Sequence, residues 1–99
     1  MGWYISHGGT RHGYSYSGVA ELVQRCSGIL TRGDQSTITS VMSPGSGDPF
    51  EVKPRQARKV GDALLLAASH LPPEWAAMAR QIGQSALLAA SANEQWRWS

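Results

Sequence analysis

Phe50-Glu51-Val52-Lys53-Pro54-Arg55-Gln56-Ala57-Arg58-Lys59-Val60-Gly61-Asp62-Ala63-Leu64-Leu65-Leu66-Ala67-Ala68 changes its hydrophobic period partway along. Phe50 and Val52 share one face and Glu51 and Lys53 the other, the alternation of a half-buried strand over 49–53. Pro54 suits a first helical turn, where its missing N–H costs nothing. Beyond it Ala57, Val60, Leu64, Ala67, Ala68 and Leu71 recur at helical spacing. Leu65 and Leu66 widen that stripe almost all round, which predicts a helix over 54–70 as the most buried element. A strand running straight into a buried helix points to an α+β fold.

On the C-terminal side, Pro72-Pro73 breaks the chain and starts a helix over 73–91, with Trp75, Met78, Ala79, Ile82, Ala86, Ala89 and Ala90 on one side. Gly61 and Gly83 each cost a helix interior about 1 kcal/mol relative to alanine, a cost that a close crossing of the two helices offsets. Trp96 and Trp98 alternate with polar neighbours, as in a last edge strand over 95–98 beside Trp3 and Ile5; the alternative is a free aromatic tail that stacks on a partner.

On the N-terminal side, the stretch 37–42 (Thr37-Ile38-Thr39-Ser40-Val41-Met42) is β-rich, and Ser43 to Pro49 is dense with turn residues, so 37–42 and 49–53 are expected to form a hairpin. Val19, Leu22, Val23, Cys26, Ile29 and Leu30 predict a helix over 18–31, capped by Ser17 or Gly18 and ending near Gly33. Trp3 to His7 reads as a strand over 2–7 that glycines stop. The expected architecture is one domain over 1–99, a small and mainly antiparallel sheet covered by two or three helices.

Ninety-nine residues bury roughly 60–70% of their unfolded surface, enough for one modest core. The longest unbroken apolar run is Ala63–Ala68, far short of the about 20 residues of a membrane span, so no membrane association is expected. No charged segment followed by an apolar one opens the chain, and the single Cys26 forms no intrachain disulfide; both fit a cytoplasmic protein.

Three sets of residues stand out as candidate sites. The glycine-rich segment between the first strand and the first helix carries His7, Gly8, Gly9, Thr10, Arg11, His12, Gly13, Ser15 and Ser17. In a strand–loop–helix order, its amides and the helix N-terminus could cradle a phosphate or carboxylate. It matches neither G-x-G-x-x-G nor G-x-x-x-x-G-K-[ST], and the plainer reading, a surface connection rich in small residues, is the favoured one. Lys53, Arg55, Arg58 and Lys59 put four cations in one short stretch, as a nucleic acid or another acidic partner requires, or as any solvated helix start displays. Trp75, Trp96 and Trp98 are the aromatic anchors a protein partner or self-association would use.

Catalysis is not expected. His7 and His12 could act as acid and base on a phosphate ester, but no carboxylate lies close in sequence to orient either ring, and no G-x-S-x-G elbow is present. No metal is expected either, because His7, His12, His70 and Cys26 are scattered without a ligand spacing, and no cofactor is implied. Cys26 reads as a buried thiol and His70 as a cation at a helix C-terminus.

The run Phe50 to Ala57, the alanine-rich helix pair and the closing Trp96-Arg97-Trp98 resemble small uncharacterised proteins of actinomycetes and their phages. Arginine over lysine and abundant alanine and glycine suit the same GC-rich origin. The resemblance covers about the C-terminal half and implies no activity. The expectation that follows is a small non-enzymatic interaction protein of a regulator, immunity or phage accessory type. The alternatives are an anion-binding protein using Gly8–Ser17 and a weak nucleic-acid binder using Lys53–Lys59.

Overall fold

The computed structural model describes residues 2–8, 13–42 and 48–99. The fold is α+β, with four helices and two antiparallel sheets of two strands each among the described residues. In chain order the elements are β1 (Gly2–Trp3), β2 (Tyr14–Ser15), α1 (Tyr16–Cys26), α2 (Arg32–Met42), β3 (Phe50–Val52), α3 (Pro54–Ala68), α4 (Pro73–Ser91) and β4 (Trp96–Trp98). Among the described residues, no helix is long and apolar enough to cross a membrane.

The helix pair α3–α4 is the framework. Each begins on a proline, and the two pack so closely that a Cβ on Gly61 would lie 2.9 Å from the carbonyl oxygen of Gly83. The close crossing expected from the two glycines is therefore present. Ala57 and Ala67 of α3 and Ala79 and Ala86 of α4 are all buried.

The segment 37–42 is a correction: it belongs to the helix α2, not to a strand, and makes no hairpin with β3. Within it Thr37 Oγ1 donates to the Gly33 carbonyl and Ser40 Oγ to the Thr37 carbonyl, so these hydroxyls bond inside the helix. Thr31 Oγ1 accepts from the Asp34 N–H at the start of α2. Ile38 and Met42, one turn apart, are buried, and that apolar face outweighs weak local β preference. The sequence 43–47 of the expected turn lies outside the described residues. The predicted helix over 18–31 is also shorter: Ser15, not Ser17 or Gly18, caps α1, and Gln35 of α2 donates to the Val23 carbonyl in the last turn of α1.

β3 pairs instead with β4, Phe50 opposite Trp98 and Val52 opposite Trp96. On the other side of β4, Ile5 bridges Trp98, with reciprocal hydrogen bonds of 2.7 and 2.8 Å between Tyr4 and Ser99. β4 is thus flanked on both sides rather than an edge. β1 turns away to pair with β2, a strand the sequence reading did not contain. Trp3, Phe50, Trp96 and Trp98 pack as one aromatic cluster, with Trp98 stacked on Phe50 at 5.6 Å and edge-on to Trp96 at 5.2 Å.

Cys26 is fully buried on the inner face of α1, and burial pushes its thiol up from 9.0 to about 11. The neutral thiol is favoured in the folded chain, so its contribution to stability is present at neutral pH and lost as pH rises from 9.0 towards about 11. The expected result is a steeper loss of Tm over that window in the native sequence than in Cys26→Ala, read by thermal denaturation at a series of pH values.

Candidate functional site

Around the bridge to β4, Ile5 packs half-buried against the core beside Trp98, Tyr4 is exposed and Ser6 is half-buried. Ser6 is held at four points. Its N–H donates to the Arg97 carbonyl at 2.9 Å, and its Oγ accepts from the Arg97 N–H at 2.9 Å. Its carbonyl accepts from Ser85 Oγ, which itself accepts from the buried Trp96 Nε1 at 2.9 Å. Finally, Ser6 Oγ lies 2.7 Å from His7 Nδ1.

The other ring nitrogen, His7 Nε2, lies 2.8 Å from Glu94 Oε1, a residue 87 positions away in the turn that follows α4. His7 adopts a positive φ of 61°, uncommon for a non-glycine residue, although histidine is among the types that enter this region more readily. Ser6, His7 and Glu94 thus form a chain that the sequence reading missed. Its ground for setting catalysis aside, the lack of an orienting carboxylate, is corrected: the partner is remote in sequence and becomes adjacent only when β4 brings the end of α4 against the N-terminal segment.

The expected anion cradle is described only in part. Gly9, Thr10, Arg11 and His12 lie outside the described residues. Gly8 and Gly13 have positive φ, and a Cβ on Gly13 would lie 2.6 Å from the Trp3 carbonyl oxygen, so this position requires glycine. Ser15 Oγ accepts the Gly18 N–H at the start of α1, and Ser17 is exposed. His7 faces the Glu94 carboxylate, whose charge opposes an anion at this end of the segment.

Lys53, Arg55, Arg58 and Lys59 are all exposed at the start of α3. None is within ion-pair distance of a carboxylate among the described residues, and the first turn of α3 holds no acid. Lys53 occupies the N-cap without a side-chain hydrogen bond to the helix. On the neighbouring strand Arg97 reaches Glu51 at 3.5 Å, a loose exposed pair. A cleft of about 480 Å³, lined by Ser40, Val41, Phe50, Lys53 and Gln56 among others, opens beside the cluster.

The aromatic anchors are a further correction. Trp96 and Trp98 are 0% exposed and form the centre of the core, so neither can meet a partner. Trp75 is half-buried, and the Arg25 guanidinium sits 4.7 Å over its ring. Among the described residues no three His, Cys, Asp or Glu side chains converge on a point where a metal could bind.

The model of a family described as a domain of unknown function, DUF7739, matches residues 8–99, and the chain belongs to that family. No curated protein and no solved structure matches it significantly.

Proposed function

We propose that this member of the family is a nucleic-acid-binding protein that grips phosphates through the cationic start of α3. One observation carries the reading: Lys53, Arg55, Arg58 and Lys59 stand together, exposed and without a carboxylate partner among the described residues. Cations at a helix N-terminus oppose the helix dipole by about 0.3–1 kcal/mol each, and a phosphate docked there removes that opposition. The competing protein-partner reading loses its support where two of its anchors lie in the core. A cytoplasmic setting and an origin among actinomycetes or their phages belong to the same proposal, supported by the single buried Cys26 and by the arginine-, alanine- and glycine-rich composition.

The test is fluorescence anisotropy of a labelled single-stranded oligonucleotide against a salt series. Binding through this cluster gives a dissociation constant of about 10⁻⁶–10⁻⁴ M near physiological salt, tightening as salt falls. The slope of log K against log salt is then near −3, about 0.7 for each of four neutralised phosphates. The double substitution Arg55→Glu with Arg58→Glu abolishes the signal while leaving the Tm close to that of the parent. No rise in anisotropy at about 50 mM salt overturns the reading.

A further inference from the structure

We propose that Ser6 is a nucleophile, activated by His7 and oriented through Glu94, that takes the acyl group of small carboxylic esters. The polarity of the chain follows from its chemistry. A carboxylate has no proton to give, so His7 Nε2–H donates to Glu94 Oε1 at 2.8 Å and leaves the Nδ1 lone pair facing Ser6 Oγ at 2.7 Å. The Ser6 hydroxyl therefore donates to His7, in the order nucleophile, base and orienting carboxylate that nucleophilic catalysis requires. The Arg97 N–H, 2.9 Å from Ser6 Oγ, fixes the position of the hydroxyl oxygen beside β4.

A second, independent feature indicates the substrate class. Tyr4 and Leu88, exposed by 54% and 56%, are two of the large apolar residues the fold leaves in solvent. The Tyr4 ring lies against Gly13, where a Cβ would meet it at 3.1 Å, and a Cβ on Gly8 would lie 3.9 Å from Leu88 Cδ1. Leu88 therefore borders the Ser6–His7–Gly8 turn, as an apolar surface for a short acyl chain. The family match begins at Gly8, so the inference concerns this chain's own N-terminal segment.

The reaction runs in two steps. Ser6 Oγ adds to the ester carbonyl carbon as its proton passes to His7 Nδ1. The carbon–oxygen bond to the leaving group then breaks, and His7 returns the proton to the departing alcohol, leaving an acyl ester on Ser6. Water gives a proton to His7 Nδ1 and attacks the acyl carbon. The bond to Ser6 Oγ breaks, Ser6 recovers the proton, and the net change is ester plus water to carboxylic acid plus alcohol. His7 acts as base and acid, and Glu94 is a positioning residue.

The test is incubation of the intact chain with a fluorophosphonate, followed by peptide mass spectrometry and by release of p-nitrophenol from p-nitrophenyl butyrate. The expected result is one phosphonyl adduct, on Ser6, forming more slowly as the pH is lowered. His7→Gln slows adduct formation by about 100-fold or more and removes that pH dependence. Glu94→Gln, at an exposed position that leaves the Tm unchanged, slows it by about tenfold and keeps the pH dependence. Three results each overturn the proposal: no adduct on Ser6 in the native chain, an unchanged rate in His7→Gln, or an unchanged rate in Glu94→Gln.

Discussion

Trp98→Ala is expected to lose about 3–5 kcal/mol of stability, the range for deleting a buried tryptophan side chain. Trp98 is 0% exposed in β4, with Phe50 stacked on it at 5.6 Å and Trp96 and Trp3 edge-on at 5.2 and 6.0 Å. Truncation therefore opens a cavity where both sheets and the N-terminal segment meet, and rigid aromatic rings close such a space poorly. For a domain near this size each kcal/mol moves Tm by about 4–8 °C, so a fall of at least about 12 °C is expected, or no cooperative transition at all. Trp98→Phe provides the contrast. The Trp98 indole N–H is buried without a hydrogen-bond partner, an arrangement that itself costs about 1–3 kcal/mol, and phenylalanine removes that donor while keeping a stacked ring. Urea denaturation is expected to rank phenylalanine well above alanine; equal losses would show that packing at this position is not what holds β4.

Gly61→Ala is expected to destabilise by about 1–3 kcal/mol, although alanine is the better helix former by about 1 kcal/mol. A Cβ at position 61 would lie 2.7 Å from Leu87 Cγ and 2.9 Å from the Gly83 carbonyl oxygen. Leu87 can rotate, but the carbonyl belongs to the backbone of α4, so the helices must separate. Gly61→Val, with two further methyl groups in the same gap, is expected at or beyond the upper end of that range. Gly33→Ala is the matched control: it lies in the first turn of α2, and a Cβ there meets nothing within 4 Å. The same substitution there is expected to be neutral or stabilising by up to about 1 kcal/mol. Chemical denaturation of the three variants checks the sign at each position; a gain at Gly61 would mean that α3 and α4 do not approach as closely as described.

The candidate sites divide along a similar line. Lys53, Arg55, Arg58 and Lys59 could be read directly, because a cluster within two helical turns stays a cluster whatever the rest of the chain does. The tryptophans could not. Alternation with polar neighbours identified a strand at Trp96–Trp98, and β4 is there, but a two-residue period says only that one face differs from the other. Which face meets solvent depends on Phe50, Ile5 and Trp3, supplied by distant segments. Ser6, His7 and Glu94 carried even less signal, since nothing local marks Glu94 as the partner of a histidine 87 residues away.

From its sequence alone this chain determined the elements whose local signals agree: Pro54 and Pro73 starting α3 and α4, the period change after Val52, and the glycines that permit their close crossing. Local geometry suffices there because proline, glycine and hydrophobic spacing each restrict the backbone without help from remote residues. Tertiary structure decided the rest. It made 32–42 helical by burying Ile38 and Met42, flanked β4 on both sides, and set Glu94 against His7. Each of these outcomes depends on burial or pairing between segments far apart in the chain, and such free energy exists only once the core has assembled.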